Sequence, residues 1–364
     1  MGPQESSAAG NDGLNHGRRD SFHHFQKKET MARIGIIGLG FMGRMHYETY
    51  QKIPSAQVIM VADKDPKRAA GDLSGGWGNM QTGVSQLPMD KIRGTTDWRQ
   101  LAHDPQVEVV DICVATPLHL ELALEALAAG KHGLCEKPLA LTSEDAQKVA
   151  SAAAKAKGFF MPAMCLRFWA EWEWMKGAIG EQKYGAVRSA TFRRVGSMPA
   201  GWFKDGQSSG GAILDLHIHD TDFVCHLFGK PTAVFSRGYT KTSGKIDHLV
   251  TQYLFENNVL VSAEGSWCFA DGWPFNMSFT VNCERGTIDY DLSRKDSLIV
   301  YADGKANVIE HDKHDGFFGE LSYFLECVRT GTRPSRVTAD DAVLAIRVLE
   351  AERKSAESGQ VVRI

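Results

Sequence analysis

The sequence predicts a two-domain protein, with a doubly wound α/β domain over residues 31–165 and an α+β domain over residues 166–364. A glycine-rich turn follows directly on a short apolar strand near residue 38. Apolar strands then alternate with helical stretches up to residue 165, which predicts a parallel sheet with helices on both faces. From residue 185 onward, short runs rich in Val, Thr, Phe and Tyr are separated by Gly, Asn and Asp, as in antiparallel strands.

Composition narrows the class of protein. The chain has 364 residues, 43% of them hydrophobic and 23% charged, with a formal net charge of -3. These values are typical of a globular protein and give no electrostatic reason to expect nucleic acid or a membrane as partner. Seven cysteines without a C-x-x-C pair indicate reduced thiols, and we therefore expect a cytoplasmic protein.

The first thirty residues differ from the rest of the chain. Residues 1–30 are rich in Gly, Ser, Asn, His and charge, and they lack the apolar core of a secretory signal. We interpret this stretch as a disordered leader or tag, with Met31 as a plausible native start.

A G-x-G-x-x-G motif stands between a predicted strand, residues 33–37, and a predicted helix that ends near Pro54. Gly38 permits the tight turn, Gly40 lets a pyrophosphate approach the backbone, and Gly43 allows close packing of helix on strand. The helix N-terminus, at Phe41 and Met42, offers unpaired N–H groups to the phosphates. The motif in this context predicts a bound dinucleotide.

Asp63 ends the next predicted strand, residues 58–62, about 20 residues beyond the glycines. A carboxylate at this position binds the adenine ribose and repels a 2′-phosphate, which favours NAD over NADP. Lys64, Lys67 and Arg68 follow closely, so NADP stays open, as does the simpler interpretation of Asp63 as a turn residue.

Further strands and helices follow in alternation. The predicted strands cover residues 107–114, 132–135 and 158–164, and the predicted helices cover residues 118–129 and 143–157. Thr116-Pro117 and Glu136-Lys137-Pro138 fall at strand ends, as Asp63 does. Ligands bind beyond the carboxyl ends of parallel strands, so we expect these residues to surround one crevice.

The chain resembles the glucose–fructose oxidoreductase / inositol dehydrogenase / rhizopine-catabolism (Gfo/Idh/MocA) family. The resemblance rests on four motifs: the glycine motif, Thr116-Pro117-Leu118-His119, Glu136-Lys137-Pro138, and the segment from Gly210 to Asp222. It implies an α/β Rossmann domain plus an α+β domain with a large open, mostly antiparallel sheet, through which subunits pair as a homodimer or homotetramer. The predicted strands at 187–195, 249–255 and 259–267 and the predicted helices at 316–329 and 338–358 agree with it.

Lys137 is the first candidate catalytic residue. In the family this lysine contacts the substrate oxygen and the cofactor ribose, and the resemblance assigns both roles to Lys137. An ammonium beside a developing alkoxide stabilises it, which is what oxidation of an alcohol carbon requires. The simpler alternative is a surface lysine before a turn-forming proline. By resemblance, the Lys137–Pro138 bond is cis and Glu136 and His119 belong to the cofactor side.

Asp215 and His219 are four residues apart in a predicted helix, so both side chains should share one face. The resemblance assigns His219 as general base or proton relay and Asp215 as its substrate-binding partner. Asp222 and His217 could orient the ring or reach substrate from the edge of the helix. The alternative is a solvated helix face. Asp215, His217, His219 and His226 could formally hold zinc, but we expect no metal.

Substrate recognition is the least specific prediction. Aromatic residues are dense between positions 168 and 203, and Arg167 and Arg194 lie nearby in sequence. Aromatic faces suit sugars and arginines suit hydroxyls or carboxylates, so Trp202 and Arg167 join Lys137, Asp215 and His219 as candidate substrate residues. Packing of most aromatics into the domain interface is the alternative.

We therefore expect an NAD-dependent oxidoreductase that acts on a sugar, sugar acid or cyclitol. Two other functions stay open at this point. One is a lyase or glycosidase that oxidises a sugar transiently and returns the hydride. The other is a non-catalytic NAD- or sugar-sensing protein, against which Lys137, Asp215 and His219 argue.

Overall fold

The computed structural model describes residues 2, 31–74, 83–312 and 314–364. Residues 31–364 form one compact unit, and the interpretation of residues 1–30 as a leader lies outside the described residues apart from Gly2. Within the described residues, no helix is both long enough and apolar enough to cross a membrane.

The first domain is a six-stranded parallel sheet in the order β3-β2-β1-β4-β5-β6. Its strands are β1 (Ala32–Ile37), β2 (Ala56–Ala62), β3 (Arg93–Thr95), β4 (Val109–Ile112), β5 (His132–Glu136) and β6 (Phe160–Ala163). The helices between them are α1 (Phe41–Tyr50), α2 (Pro66–Ala69), α3 (Trp98–Ala102), α4 (His119–Ala128) and α5 (Ser143–Lys155). All five strand pairings are parallel, which confirms the predicted α/β half.

The strand order reverses between β1 and β4, and a doubly wound sheet binds its ligand at this point. The turn after β1 carries the glycine motif, and the turn after β4 carries a short 3-10 helix at Thr116–Leu118. The predicted crevice is therefore placed by the topology of the sheet.

The second domain is built on a nine-stranded sheet in the order β14-β13-β12-β11-β7-β10-β9-β8-β15. Its strands are β7 (Val187–Ser197), β8 (Ala233–Tyr239), β9 (His248–Leu254), β10 (Leu260–Phe269), β11 (Asn276–Cys283), β12 (Thr287–Asp291), β13 (Leu298–Ala302), β14 (Lys305–Val308) and β15 (Val362–Arg363). Only β7 and β10 pair in parallel among these, so the mostly antiparallel sheet is confirmed.

Six α-helices complete the part of the chain that the structure describes. They are α6 (Ala170–Gly180), α7 (Gly206–Ser209), α8 (Gly211–Asp215), α9 (Ile218–Phe228), α10 (Gly316–Thr330) and α11 (Ala339–Ser358). Trp172 on α6 and Phe223 on α9 pack on the buried face of the second sheet, where Trp172 meets Phe279 and Tyr290 edge to face.

The last two helices join the two sheets. Helix α10 packs on α1, and α11 packs on α5 of the first domain as well as on α9 and β8 of the second. Helix α11 begins with a capping box in which Thr338 and Asp341 satisfy each other's backbone N–H groups. Since α10 reaches the first sheet, it can bring side chains beneath the crevice from the far end of the sequence.

Candidate active site

The glycine turn fits a pyrophosphate. Gly38 has φ +92°, and a Cβ there would lie 2.5 Å from the carbonyl oxygen of Cys113. A Cβ on Gly43 would lie 1.8 Å from the carbonyl oxygen of Gly38, so only glycine permits this contact between helix and turn. A Cβ on Gly40 would meet nothing within 4 Å, and Gly40 begins α1 without a side-chain cap. The backbone is therefore open where phosphates would approach.

Asp63 is directed at the same turn. Its Oδ2 accepts a hydrogen bond from the backbone N–H of Leu39 at 2.8 Å, and its Oδ1 accepts one from Asp65 at 2.9 Å. The carboxylate is nearly buried, and Arg68 lies 3.9 Å from Oδ2. Asp63 thus connects the end of β2 to the glycine turn, and it is placed beside the turn as a ribose-binding group would be.

His119 holds a loop in place, and its predicted contact with the cofactor stays a prediction. We predicted it among the cofactor-binding residues, but its ring is buried, with Nδ1 2.7 Å from the carbonyl oxygen of Pro138 and Nε2 2.9 Å from that of Val114. Both ring nitrogens lie against backbone carbonyl oxygens, and because burial lowers the pKa of the imidazole, the neutral ring donates its single N–H to one of them. His119 therefore ties the Thr116–Leu118 turn to the turn after β5, whose Lys137–Pro138 bond is cis as the resemblance implies.

Lys137 and Asp215 form the centre of the site. Lys137 Nζ donates to the backbone oxygen of Asp215 at 2.7 Å and lies 3.1 Å from Asp215 Oδ1. The lysine comes from the end of β5 and the aspartate from the end of α8, so this pair brings the two domains together. Burial raises the pKa of Asp215, although the ammonium of Lys137 opposes that shift.

His219 lies in the same electrostatic environment. Burial lowers the pKa of His219 well below its ordinary value, and the positive charges of Lys137 and Arg194 lower it further. The ring is consequently neutral at physiological pH and able to accept a proton. Its Nδ1 is buried and has no hydrogen-bond partner among the described residues.

The predicted single helix carrying Asp215 and His219 is wrong. Helix α8 ends at Asp215 and α9 begins at Ile218. The chain breaks here because the N–H of His217 bonds to Ala212, five residues back. The His217 side chain is fully buried, with Nε2 3.1 Å from Glu352 Oε2, so it does not reach the site. The two catalytic candidates therefore approach Lys137 from separate helices.

Arg167 and Asp222 are also corrected. The two form a buried bidentate ion pair, with Arg167 Nε and Nη2 2.8 and 2.6 Å from the Asp222 oxygens. Arg167 also donates to the backbone oxygen of Arg336 and lies 3.3 Å from Asp341. The donors of Arg167 are used inside the protein, so the prediction that Arg167 binds substrate is wrong. Asp222 pairs with Arg167 and does not orient His219.

Trp202, unlike Arg167, lies at the surface of the protein. Its indole is about one-third exposed and stacks on Phe203 at 4.6 Å between ring centroids. Phe203 packs with Trp267 in a small apolar cluster that includes Ala212 of α8. The ring is therefore exposed on the segment next to Asp215, and its contact with substrate stays a prediction.

Two groups of the described residues bring possible metal-binding atoms together: His46, Asp111 and Cys113, and His46, Glu136 and Glu320. Neither contains the zinc candidates weighed above, since Asp215 faces Lys137 and His217 faces Glu352. Sequence reasoning missed His46, Asp111 and Glu320. Asp111 carried a signal, because it is a carboxylate inside the apolar run of β4.

The doubly wound sheet, the open glycine turn and a lysine whose charge acts on a neutral histidine are the features of a dinucleotide-dependent oxidoreductase. Residues 32–164 match the oxidoreductase family with an NAD-binding Rossmann fold, and residues 172–289 match the GFO/IDH/MocA C-terminal domain. The chain belongs to the GFO/IDH/MocA oxidoreductase family, as the sequence motifs predicted.

Similar proteins extend over nearly the whole chain. Myo-inositol 2-dehydrogenase of Thermotoga maritima is 26% identical over 91% of this chain and 98% of its own length. The scyllo-inositol 2-dehydrogenase (NAD(+)) of Bacillus subtilis is 27% identical over 92% of this chain and 97% of its own. A levoglucosan dehydrogenase solved with NADH and levoglucosan has a TM-score of 0.79 at 23% identity, covering 92% of this chain and all of that one.

Proposed function

We propose that this oxidoreductase transfers a hydride between NAD and a hydroxyl- or keto-bearing carbon of a sugar, sugar acid or cyclitol. The observation that carries the proposal is the Lys137 ammonium, held by Asp215 at 3.1 Å and near enough to His219 for its charge to lower the pKa of that imidazole. The inositol and levoglucosan dehydrogenases among the similar proteins support the substrate class.

NAD would be held by the glycine turn, the start of α1 and Asp63, with Thr116, Pro117, Glu136 and Lys137 toward the nicotinamide. When bound, it supplies the hydride acceptor. Asp63 favours a free ribose hydroxyl over a 2′-phosphate, and Arg68 beside it keeps NADP as an alternative cofactor.

The residues of the chain would divide the proton chemistry between them. Lys137 donates to the substrate oxygen and stabilises the alkoxide as it forms. His219 accepts the hydroxyl proton, which its lowered pKa permits at neutral pH. Asp215 holds Lys137 in place and accepts a hydrogen bond from a neighbouring hydroxyl, with Trp202 against the carbon face of the ring.

The test is NADH absorbance while the enzyme, with NAD, is offered inositols, aldoses, sugar acids and glycosides. NADH formation with one class should fall about 10²- to 10⁴-fold in Lys137→Ala and in His219→Ala. Lys148→Ala, which removes an exposed lysine on α5, is the matched control. Cleavage of a glycoside without NADH would replace the dehydrogenase by the redox-neutral lyase or glycosidase. No turnover with NAD bound would favour the sensor.

The pH profile gives a second test of His219. Because burial and neighbouring positive charges lower its pKa, the acid limb of kcat/KM should lie below the ordinary histidine value of about 6.5. An acid limb at or above that value would remove His219 from the role of base.

The domain division, assembly and location belong to the same proposal. We place the domain boundary at residues 165 and 166. On the outer face of the second sheet Thr191, Val250, Leu260 and Tyr301 are exposed to solvent and Ser262 is partly exposed. This face is the surface through which two or four copies would pair. Light scattering on the purified protein tests the assembly.

All seven cysteines are unpaired, which supports a reducing, cytoplasmic location. Fractionation of expressing cells tests this location.

A further inference from the structure

A row of buried ionisable side chains, Tyr50, Asp111, His46 and Glu136, leads to the backbone of the catalytic lysine. Tyr50 donates its hydroxyl hydrogen to Asp111 Oδ2 at 2.9 Å, and His46 Nδ1 lies 2.8 Å from the same oxygen. On its other side, His46 Nε2 lies 3.0 Å from Glu136 Oε1, an ion-pair contact without hydrogen-bond geometry. The second oxygen of Glu136 accepts the backbone N–H of Lys137 at 3.0 Å. The row thus leads from α1 through β4 and β5 to the backbone of Lys137.

Glu320, on α10, lies next to this row of side chains. Its side chain is fully buried, and neither carboxylate oxygen has a hydrogen-bond partner among the described residues. A Glu320 oxygen, a His46 ring nitrogen and a Glu136 oxygen all lie within 4.8 Å of one another. A buried carboxylate that is both ionised and unpaired costs several kcal/mol, so Glu320 must hold a proton or face a cation.

The charges around Glu320 are mostly negative. The titratable and charged groups that act on it or share its surroundings are Glu136 on β5, His46 and Tyr50 on α1, Asp111 on β4, Asp315 before α10, Cys165 after β6, and Lys137 and Arg194 further out. Burial, followed by the charge of Glu136, raises the pKa of Glu320 well above its ordinary value. Burial opposes a charge on His46, but Asp111 raises the pKa of that ring well above its ordinary value.

We propose that Glu320 and His46 are positioning residues for Lys137, with a protonated Glu320 donating to Glu136 while a charged His46 bridges Glu136 and Asp111. Glu136 held from both sides then keeps the backbone N–H of Lys137, and with it the ammonium, at its place beside Asp215. In this state Asp111, His46, Glu136 and Glu320 together carry one negative charge, which the adjacent Lys137 balances. The inference rests on the proposed function, because it gives Lys137 the catalytic role.

Two substitutions of Glu320 distinguish the effect of its hydrogen-bond donor from the effect of its volume. Glu320→Gln keeps the shape and donates to Glu136 from its amide, whereas Glu320→Met fills the space without a donor. We expect the Gln variant to rescue turnover and the Met variant to lose kcat by about tenfold or more, as removal of a hydrogen bond to a charged group does. kcat should change more than NAD affinity or the substrate KM, because the contact that weakens most is the one that Lys137 makes with the developing alkoxide.

Wild-type activity should fall at alkaline pH as Glu320 ionises, and that fall should be absent in the Gln variant. Glu352→Gln is the matched control, since Glu352 is equally buried but pairs with His217 at 3.1 Å, away from Lys137. It should leave the pH profile of kcat unchanged. Equal kcat and equal pH profiles in wild type, Gln and Met variants would overturn the proposal.

An infrared spectrum tests the proton on Glu320 without any turnover. At pH 6, above the ordinary glutamate pKa of 4.5, the wild-type protein should show a protonated-carboxyl band that shifts in D₂O and that Glu320→Gln lacks. Absence of this band, or a stoichiometric divalent metal in the wild type that Glu320→Gln loses, would overturn the proposal in favour of an ionised Glu320. If the band is present but no substrate is turned over, the proposed function fails, and the role of Glu320 toward Lys137 fails with it.

Discussion

Substitution of Asp222 tests whether Arg167 serves stability or substrate binding. In Asp222→Ala the guanidinium of Arg167, which is only 3% exposed, loses both of its short contacts and keeps Asp341 at 3.3 Å and the backbone oxygen of Arg336. Breaking a buried ion pair by removing one partner costs about 3–5 kcal/mol. Because Asp341 is one-third exposed and still offers a partial countercharge, we expect the lower end, about 3 kcal/mol.

The assay is equilibrium unfolding in urea, with the free energy of unfolding compared at equal m-values. Glu121→Ala is the control: Glu121 pairs with Arg99 at 2.5 Å, but both side chains are more than half exposed. An exposed pair contributes about 0–1 kcal/mol, so this variant should be nearly as stable as the wild type.

A double substitution separates stability from substrate binding. Arg167→Met with Asp222→Leu replaces the ion pair by apolar side chains, which should recover most of the loss. Its substrate KM should match that of the wild type. A cost below about 1 kcal/mol in Asp222→Ala would refute the energetic reasoning. A stable double variant with a KM raised about tenfold would instead return Arg167 to the substrate site.

Other predictions concern the cofactor turn and the buried carboxylate. Gly43→Ala should abolish NAD binding or folding, because its Cβ would lie 1.8 Å from the carbonyl oxygen of Gly38. Gly40→Ala should fold, because its Cβ meets open space, and a titration with NAD should show only weakened binding. Asp63→Ala should weaken NAD about 10- to 100-fold in calorimetry, since Leu39 loses its acceptor and the ribose its partner; an unchanged affinity would leave Asp63 a turn residue. Because the pKa of Glu320 is raised in the folded protein, its contribution to stability should fall by about 1.4 kcal/mol per pH unit as pH rises from about 4.5 toward the folded pKa. The stability of Glu320→Gln, measured by thermal unfolding, should lack this dependence on pH. Identical stability–pH curves for the wild type and the variant would contradict a raised pKa of Glu320.

The local pattern was sufficient where a residue's function depends on its immediate neighbours. The glycine turn after β1 needs Gly38 and Gly43 for steric reasons that act within a few residues, and alternation of strands and helices allows few folds. Strand ends of a parallel sheet meet at one edge, so Asp63, Thr116 and Lys137 could be assigned to one crevice from the sequence alone.

Sequence spacing failed where a single helix had to be assumed. Asp215 and His219 satisfy the four-residue spacing of a helix face, but the chain turns between α8 and α9. The backbone N–H of His217 bonds to Ala212 at this break, a bond that the spacing does not reveal. Arg167 was assigned to substrate on residue type, and only the structure shows that Asp222 already holds it.

The sequence by itself determined the dinucleotide fold, the family, and the catalytic candidates Lys137, Asp215 and His219, because these follow from motifs in local context. Tertiary structure alone decided which polar side chains are free to act and which are paired inside the protein. It also brought Glu320 to the back of Lys137 and His46 between two carboxylates, across intervals that no local pattern spans. The physical reason is that the charge and hydrogen bonding of a buried side chain depend on partners from distant segments, and only the packing of the whole chain selects those partners.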